Sequence, residues 1–236
     1  MKYCYINKDS EKHIYTDFIR DLQEDVAIPT LHFANEYEGQ EVVKLCCTQY
    51  SKVVDLKETI GDYERKKISS EWVKLLSYTS LPLKEVQLCT VTPQNIFDAL
   101  CNQINIESLR VKHFTGKNIS SISRLHNLKK LFIESAPSIT DISPIAELEN
   151  LEILILGSTV KVTDYSSLGK LHNLKVFSVC SYIAKNDVMK MDDDSFIREM
   201  KNLKYLELSD VKINNQKFLT EENAKSFEYA CFPIGE

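Results

Sequence analysis

The side chains best suited to chemistry are a run of three carboxylates, Asp192 to Asp194, and seven cysteines. Three adjacent carboxylates suggest calcium, but the run lacks the glycine and the distant glutamate of a calcium-binding EF-hand loop. The alternative is that the aspartates cap a helix starting near Phe196, whose dipole favours negative charge at that end. We favour the capping role, and we expect no metal site and no cofactor.

The cysteines do not indicate a disulfide framework, a metal site or a nucleophile. Their number is odd, and no two of them form a CxxC pair. Cys46, Cys101 and Cys231 lie among apolar residues, where a buried thiol is more common than a reactive one. The chain also starts without an apolar signal segment. These features favour reduced cysteines and a cytoplasmic protein.

Other catalytic and binding motifs are missing from the sequence. It has no HExxH zinc motif, no glycine-rich phosphate loop and no GxSxG elbow. His126 and His172 each precede Asn-Leu at equivalent places, which favours structural turn residues over metal ligands. The net charge is -5, with no long basic run and no membrane-spanning apolar segment. We therefore expect neither an enzyme nor a protein that binds nucleic acid, a membrane or a small-molecule substrate.

A repeated apolar pattern organises the chain. Leu128, Leu131 and Ile133 have the spacing LxxLxL, which predicts a short strand, and Ile139, Ile142 and Ile145 follow at intervals of three, as in a 3₁₀ turn. The same pattern returns from Leu151 to Leu171. One such unit cannot bury its apolar face alone, whereas stacked copies can.

These residues resemble leucine-rich repeats of the internalin and SDS type, above all the segment ITDISPIAELENL from Ile139 to Leu151. The resemblance implies an α/β solenoid with a curved parallel sheet of about eight strands on its concave side, used to bind proteins. The asparagine that the family often carries eight residues after the first leucine is absent here. We expect mixed α and 3₁₀ helices on the convex side.

We call each segment with the spacing LxxLxL a frame and number its positions from its first residue. The frames predict one solenoid domain over residues 1–236, with repeats in 28–209 and caps in 1–27 and 210–236. Its frames begin at Ile28, Ser51, Leu83, Ile106, Leu128, Leu151, Leu174 and Leu203. Insertions lengthen two units, and the spacing of apolar residues in the first predicts an α-helix over 62–78. Thr92 and Pro93 predict the start of a second helix, and Thr220 the start of a last one.

The frame also predicts which side chains point away from the core, because alternate residues of a strand face opposite sides of the sheet. Positions three, five and seven of each frame should form columns on the concave face. Five of these side chains predict one exposed apolar patch: Phe132, Ile153, Ile155, Val176 and Tyr205. Arg110, Lys112 and Lys130 edge the patch, as expected of a protein-binding site. The alternatives are that the C-terminal segment covers it or that the register of one strand is wrong.

The sequence thus predicts a non-catalytic module that binds another protein through its concave face. A cytosolic inhibitor, such as a toxin-neutralising immunity protein, fits the size and mild acidity; this choice rests on analogy of fold. A phosphatase-regulating, scaffold or effector protein of the SDS or internalin type is the alternative, and an enzyme ranks last.

We predict that the purified protein contains seven free thiols without added reducing agent, and no bound metal. The cysteines lack both the pairing of a disulfide framework and the spacing of metal ligands. Thiol counting after unfolding, together with metal analysis, checks this prediction. Stoichiometric zinc, or fewer than seven thiols, would contradict it.

Overall fold

The computed structural model describes residues 2–6, 28–48, 61–78, 80–181 and 188–234. Ten strands in this part of the chain form one sheet. In chain order these are β1 (Lys2–Ile6), β2 (Thr30–Leu31), β3 (Val42–Leu45), β4 (Glu85–Thr92), β5 (Ser108–Phe114), β6 (Lys130–Ile133), β7 (Ile153–Gly157), β8 (Val176–Cys180), β10 (Tyr205–Leu208) and β12 (Tyr229–Ile234). A second, two-stranded sheet pairs β9 (Met189–Asp193) with β11 (Val211–Asn215).

The large sheet is parallel and follows the chain order of the repeats. Its strands lie in the order β1-β12-β10-β8-β7-β6-β5-β4-β3-β2, and only β1 is antiparallel to its neighbour. From β4 to β10 the register joins equivalent frame positions, so that Leu131 lies opposite Leu154 and Leu154 opposite Phe177. The predicted α/β leucine-rich-repeat solenoid is confirmed.

The frame positions predicted to face the core are buried. Leu131, Leu154 and Phe177 have no exposed surface. The residues spaced by threes are buried as well, including Ile139, Ile145 and Leu168. Both stretches fill one continuous core that runs along the stack.

The side of the core opposite the sheet is α-helical in the second and third repeats and 3₁₀-helical in the middle ones, as predicted, whereas the first repeat has a 3₁₀ turn at Ala34–Glu36. Helix α1 spans Asp62–Tyr78 and helix α2 spans Gln94–Leu100. Four 3₁₀ turns follow, at Ser120–Arg124, Ser143–Glu147, Ser166–Lys170 and Ser195–Glu199. A short helix α3 (Glu221–Ala224) ends the series. Thr220 caps α3 by accepting a hydrogen bond from Asn223 N. The predicted start of α2 is wrong by one residue, because Pro93 is its N-cap and Thr92 ends β4.

The second repeat lies elsewhere than predicted. The frame starting at Ser51 lies outside the described residues, and β3 occupies the place beside β4, with Val43 opposite Val86 and Leu45 opposite Leu88. The true frame begins at the polar residue Gln40, which weakens the sequence pattern. Strand β2 is also displaced by two positions, because Leu31 lies opposite Leu45 rather than Val43.

The caps predicted at the two ends of the chain also need correction. Strand β1 does not cover the N-terminal end of the stack but pairs with β12 at the C-terminal end. The chain does not leave the repeat pattern after Leu208, because Phe227, Ala230 and Phe232 form a ninth buried frame whose strand pairs parallel with β10. Within the predicted N-terminal cap, Lys2–Ile6 therefore forms a strand whose partner lies at the far end of the sequence, while residues 7–27 of that cap lie outside the described residues.

An asparagine ladder does exist, on the residue immediately before the first leucine of the frame. Asn150 Nδ2 donates to His126 O at 2.8 Å, and Asn173 Nδ2 donates to Glu149 O at 2.9 Å. Asn127 and Asn202 make the equivalent bonds to the preceding repeats. The turns before the strands are therefore tied together by side chains that the sequence repeats in register.

The predicted capping role of the aspartates is only partly right, because Asp194 is the N-cap of the turn Ser195–Glu199 but its side chain makes no capping hydrogen bond there. Asp193 Oδ1 accepts a hydrogen bond from Ser195 N at 2.7 Å, as Asp141 does from Ser143 N and Asp164 from Ser166 N. Hydrogen bonds from Lys217 and Ser195 hold the pKa of Asp193 at about 2. Asp194 is fully buried and accepts backbone hydrogen bonds from residues 217–219 at 2.7 to 3.0 Å.

We predict that Leu131→Ala and Leu154→Ala each lower the free energy of unfolding by about 2–5 kcal/mol, because each removes a fully buried side chain between two neighbouring repeats. Denaturant titration measures the loss. A change below about 1 kcal/mol in both variants would show that these positions tolerate cavities far better than core leucines do.

Candidate functional site

The concave face is the face of the sheet directed away from the leucine core. The paired strands place its side chains in columns, as predicted. One column runs from Lys130 through Ile153 and Val176 to Tyr205, and the next joins Arg110, Phe132 and Ile155. The predicted residues therefore lie side by side on five neighbouring strands, β5, β6, β7, β8 and β10.

The apolar patch forms, but it is not exposed. Phe132, Ile153, Ile155 and Val176 form one cluster, with Tyr205 packed against it, and we call these five residues the apolar cluster. Phe132 is 1% exposed and Ile155 is 0% exposed. The prediction of a largely exposed patch is wrong, because the columns show which side chains are neighbours but not what lies over them.

The cluster continues toward the C-terminal end of the sheet. Tyr229 and Cys231 form a second small group with Tyr3 and Tyr205. Tyr205 Oη donates a hydrogen bond to Glu228 Oε2 at 2.8 Å, and hydrogen bonds from Lys204 and Tyr205 lower the pKa of Glu228. Strand β1 thus extends the aromatic surface.

Arg110 joins the apolar cluster to the polar side chains of the same face on β3 to β5. We call these side chains, which include Gln87, Ser108 and Lys112, the polar half of the concave face. Its guanidinium lies 5.0 Å from the centroid of the Phe132 ring, and Arg110 Nε donates to Glu134 Oε1 at 2.8 Å. The Arg110 and Glu134 side chains are only 16% and 14% exposed. A guanidinium held by both a ring face and a carboxylate has little freedom to reorient.

Beside this pair is a basic depression of about 190 Å³. Its lining residues come from β3, β4 and β5, together with the residue that follows β6: Lys44, Gln87, Leu88, Cys89, Arg110, Lys112 and Glu134. Lys112 is exposed, whereas Gln87 is 2% exposed. Of the predicted rim residues, Arg110 and Lys112 line this depression, while Lys130 lies one column away.

Two polar side chains of this region are buried without a hydrogen-bond partner. They are Gln87, through Nε2, and Ser108, through Oγ. The sequence placed both on the concave face but gave no reason to single them out. Buried polar groups without partners are uncommon, so these atoms mark a place where a binding partner could supply the missing bonds.

Two thiols on this face, those of Cys46 and Cys89, are unsuited to nucleophilic chemistry. Burial raises the pKa of Cys46 to about 11, and burial also raises the pKa of the Cys89 thiol. Both thiols are therefore protonated near neutral pH. Within the described residues, no three histidine, cysteine or acidic side chains come together as a metal site, and no helix is long and apolar enough to cross a membrane.

Residues 84–159 match the family model for leucine-rich repeats of the R13L1/DRL21 type. The matched segment contains β4 to β7 and the turns between them. It includes Gln87, Ser108 and Arg110, which are part of the polar half of the concave face. Comparison with curated proteins gave no match.

Solved structures with similar folds come from bacteria and plants. Internalin C2 from Listeria monocytogenes is 25% identical over 58% of this chain and 66% of its own, with a TM-score of 0.41. A leucine-rich-repeat protein of Leptospira interrogans is 17% identical over 90% and 56%, with a TM-score of 0.44. The ectodomain of the Arabidopsis thaliana receptor kinase GASSHO1/SCHENGEN3, solved in complex with Casparian strip integrity factor 2, is 16% identical over 61% and 17%, with a TM-score of 0.45. This chain spans about two thirds or less of each of these proteins' solved chains.

We predict that Phe132→Ala lowers the free energy of unfolding by about 3–5 kcal/mol, because the ring is buried in the apolar cluster and supports the Arg110 guanidinium. Tyr63→Ala is the control, since that ring is 84% exposed and should change stability by about 0.5 kcal/mol or less. Denaturant titration of both variants decides, and equal stability would contradict the burial of Phe132.

Proposed function

We propose that this chain, which is a leucine-rich-repeat protein, is a non-catalytic module that binds another protein through the concave face of its sheet. Its core residues and its asparagine ladder are needed to stack the repeats. The charged side chains of the concave face are not part of that core. Lys112 is exposed and Lys44, Glu85 and Lys130 are partly exposed there, which is the observation that carries the proposal.

The burial of the apolar cluster changes how such a face would bind. Phe132 and Ile155 would support the surface from below, whereas Lys112, Lys130, Arg110 and Tyr205 offer exposed atoms that a partner can contact. Charged rim residues mainly steer association and fix the orientation of the partner. Binding through this face would therefore depend on salt concentration.

Within this proposal, we favour a cytoplasmic inhibitor such as a toxin-neutralising immunity protein. The odd number of cysteines and the raised pKa of Cys46 and Cys89 are consistent with thiols that stay reduced. A regulatory or scaffold role uses the same face. The activity of the partner separates the two, because an inhibitor abolishes its partner's activity at equal concentration whereas a scaffold leaves it intact.

We predict that Lys112→Glu and Lys130→Glu each weaken the complex with the partner by about tenfold or more, because both reverse a charge on the concave face. A partner captured with the unaltered chain is purified and its binding is measured at low and high salt. The loss should appear mainly as slower association at low salt.

Lys161→Glu is the control, because this exposed lysine lies in the turn after β7 and not on the concave face. Melting curves of all three variants verify folding. Unchanged affinity in both concave-face variants, or an equal loss in Lys161→Glu, would show that the partner binds elsewhere.

A further inference from the structure

The basic depression has the charge of an anion site. Three basic side chains and one carboxylate line it, although the whole chain has a net charge of -5. The single carboxylate, Glu134, is already bound by Arg110. An anion entering the depression thus meets a locally positive field, although the chain as a whole is acidic.

Gln87 supplies the second observation. Its side chain is 2% exposed and lines the depression, and its Nε2 has no hydrogen-bond acceptor. In the sheet, Gln87 lies between Lys44 on β3 and Arg110 on β5. An amide donor left unpaired between two basic residues is in position to bond an acceptor that arrives from outside.

Ser108 lies in the adjoining column, between Glu85 on β4 and Lys130 on β6. It is 6% exposed, and its hydroxyl lacks a partner as well. The two unpartnered groups are thus on neighbouring strands. One ligand that crosses β4 and β5 can reach both.

The size and the donors favour one kind of anion. The volume of about 190 Å³ is below the roughly 300–1,000 Å³ of ordinary small-molecule pockets. It suits a single side chain inserted from a larger molecule. Gln87 and Arg110 are paired in the parallel ladder, so the donors that they offer to the site are side-chain groups, unlike the backbone amides that commonly bind phosphate.

We propose that the basic depression receives the carboxylate of an aspartate or glutamate side chain from an extended segment of the partner protein. Gln87 Nε2 and Lys112 Nζ donate to the carboxylate, and the Ser108 hydroxyl bonds the adjoining backbone of that segment. This inference rests on the proposed function, because it names the chemistry by which the concave face recognises its partner.

Titration of the isotope-labelled full chain with capped Gly-Glu-Gly, followed by NMR, tests the site directly. The side-chain amide signal of Gln87 and the backbone signals of β4 and β5 should shift and saturate. Capped Gly-Gln-Gly should bind at least about tenfold more weakly, since it lacks the charge. Equal binding of both peptides, or the absence of saturable shifts, would overturn the proposal. Tighter binding of capped Gly-phosphoserine-Gly or of inorganic phosphate would overturn the carboxylate in favour of a phosphate.

Variants separate a binding role from a structural one. Gln87→Met should weaken the Glu peptide at least about fivefold without lowering the melting temperature, because it removes an unpaired buried amide and keeps the side-chain volume. A lower melting temperature with unchanged peptide affinity would make Gln87 structural and overturn its role. Lys112→Gln should weaken the Glu peptide, and Lys161→Gln should leave it unchanged.

The partner itself distinguishes this inference from the proposed function. If Lys130→Glu weakens the complex but Gln87→Met does not, the partner uses the concave face without inserting a carboxylate, and only this inference fails. If Lys112→Glu, Lys130→Glu and Gln87→Met all leave the complex unchanged, the proposed function fails.

Discussion

Burial of the strand side chains at positions four and six of each frame is the constraint on which the rest of the structure depends. Leu131 and Ile133 meet equivalent residues of the repeats on either side, and each repeat lacks a core of its own. The stack therefore needs protection at its ends. At the C-terminal end, β12 adds a ninth frame and the antiparallel strand β1 pairs with it. The first residues of the chain thus stabilise its last repeat.

Polar residues that recur in register stabilise the same stack from outside the core. Asn127, Asn150, Asn173 and Asn202 bond the preceding turn, and lysine–glutamate pairs such as Lys129 with Glu107 and Lys175 with Glu152 link adjacent strands at their edge. Those pairs are about half exposed, so each contributes little. Polar side chains that recur at equivalent positions of successive repeats therefore indicate a structural role. Gln87, Arg110 and Phe132 share one column yet differ in type, which makes that column a better place to look for specificity.

The sequence predicted the repeats from Leu83 onward because every frame there has apolar residues at positions one, four and six. It misplaced the second repeat, where Gln40 is polar and helix α1 separates β3 from β4. It missed the ninth repeat, where Ala230 is a small residue at a core position. The pairing of β1 with β12 joins residues more than 200 positions apart, as with Tyr3 and Pro233, and no local pattern encodes such a contact. The asparagine ladder was visible as a repeated Asn-Leu pair, whereas the pattern of the resembled family places its asparagine eight residues after the first leucine.

For the concave face, the columns of Phe132, Ile155 and Tyr205 were predictable because the two-residue period of a strand fixes which side chains are neighbours. Their burial was not predictable, because the period of a strand does not show how closely side chains of neighbouring strands pack against one another. Because the apolar cluster is buried, we expect the partner to contact the polar half of the concave face rather than the cluster. There, Arg110 is held between Phe132 and Glu134, so the cluster can orient a basic group without touching the partner. A rigid, oriented cation loses less conformational freedom on binding than a mobile one, and this favours specificity at a small site.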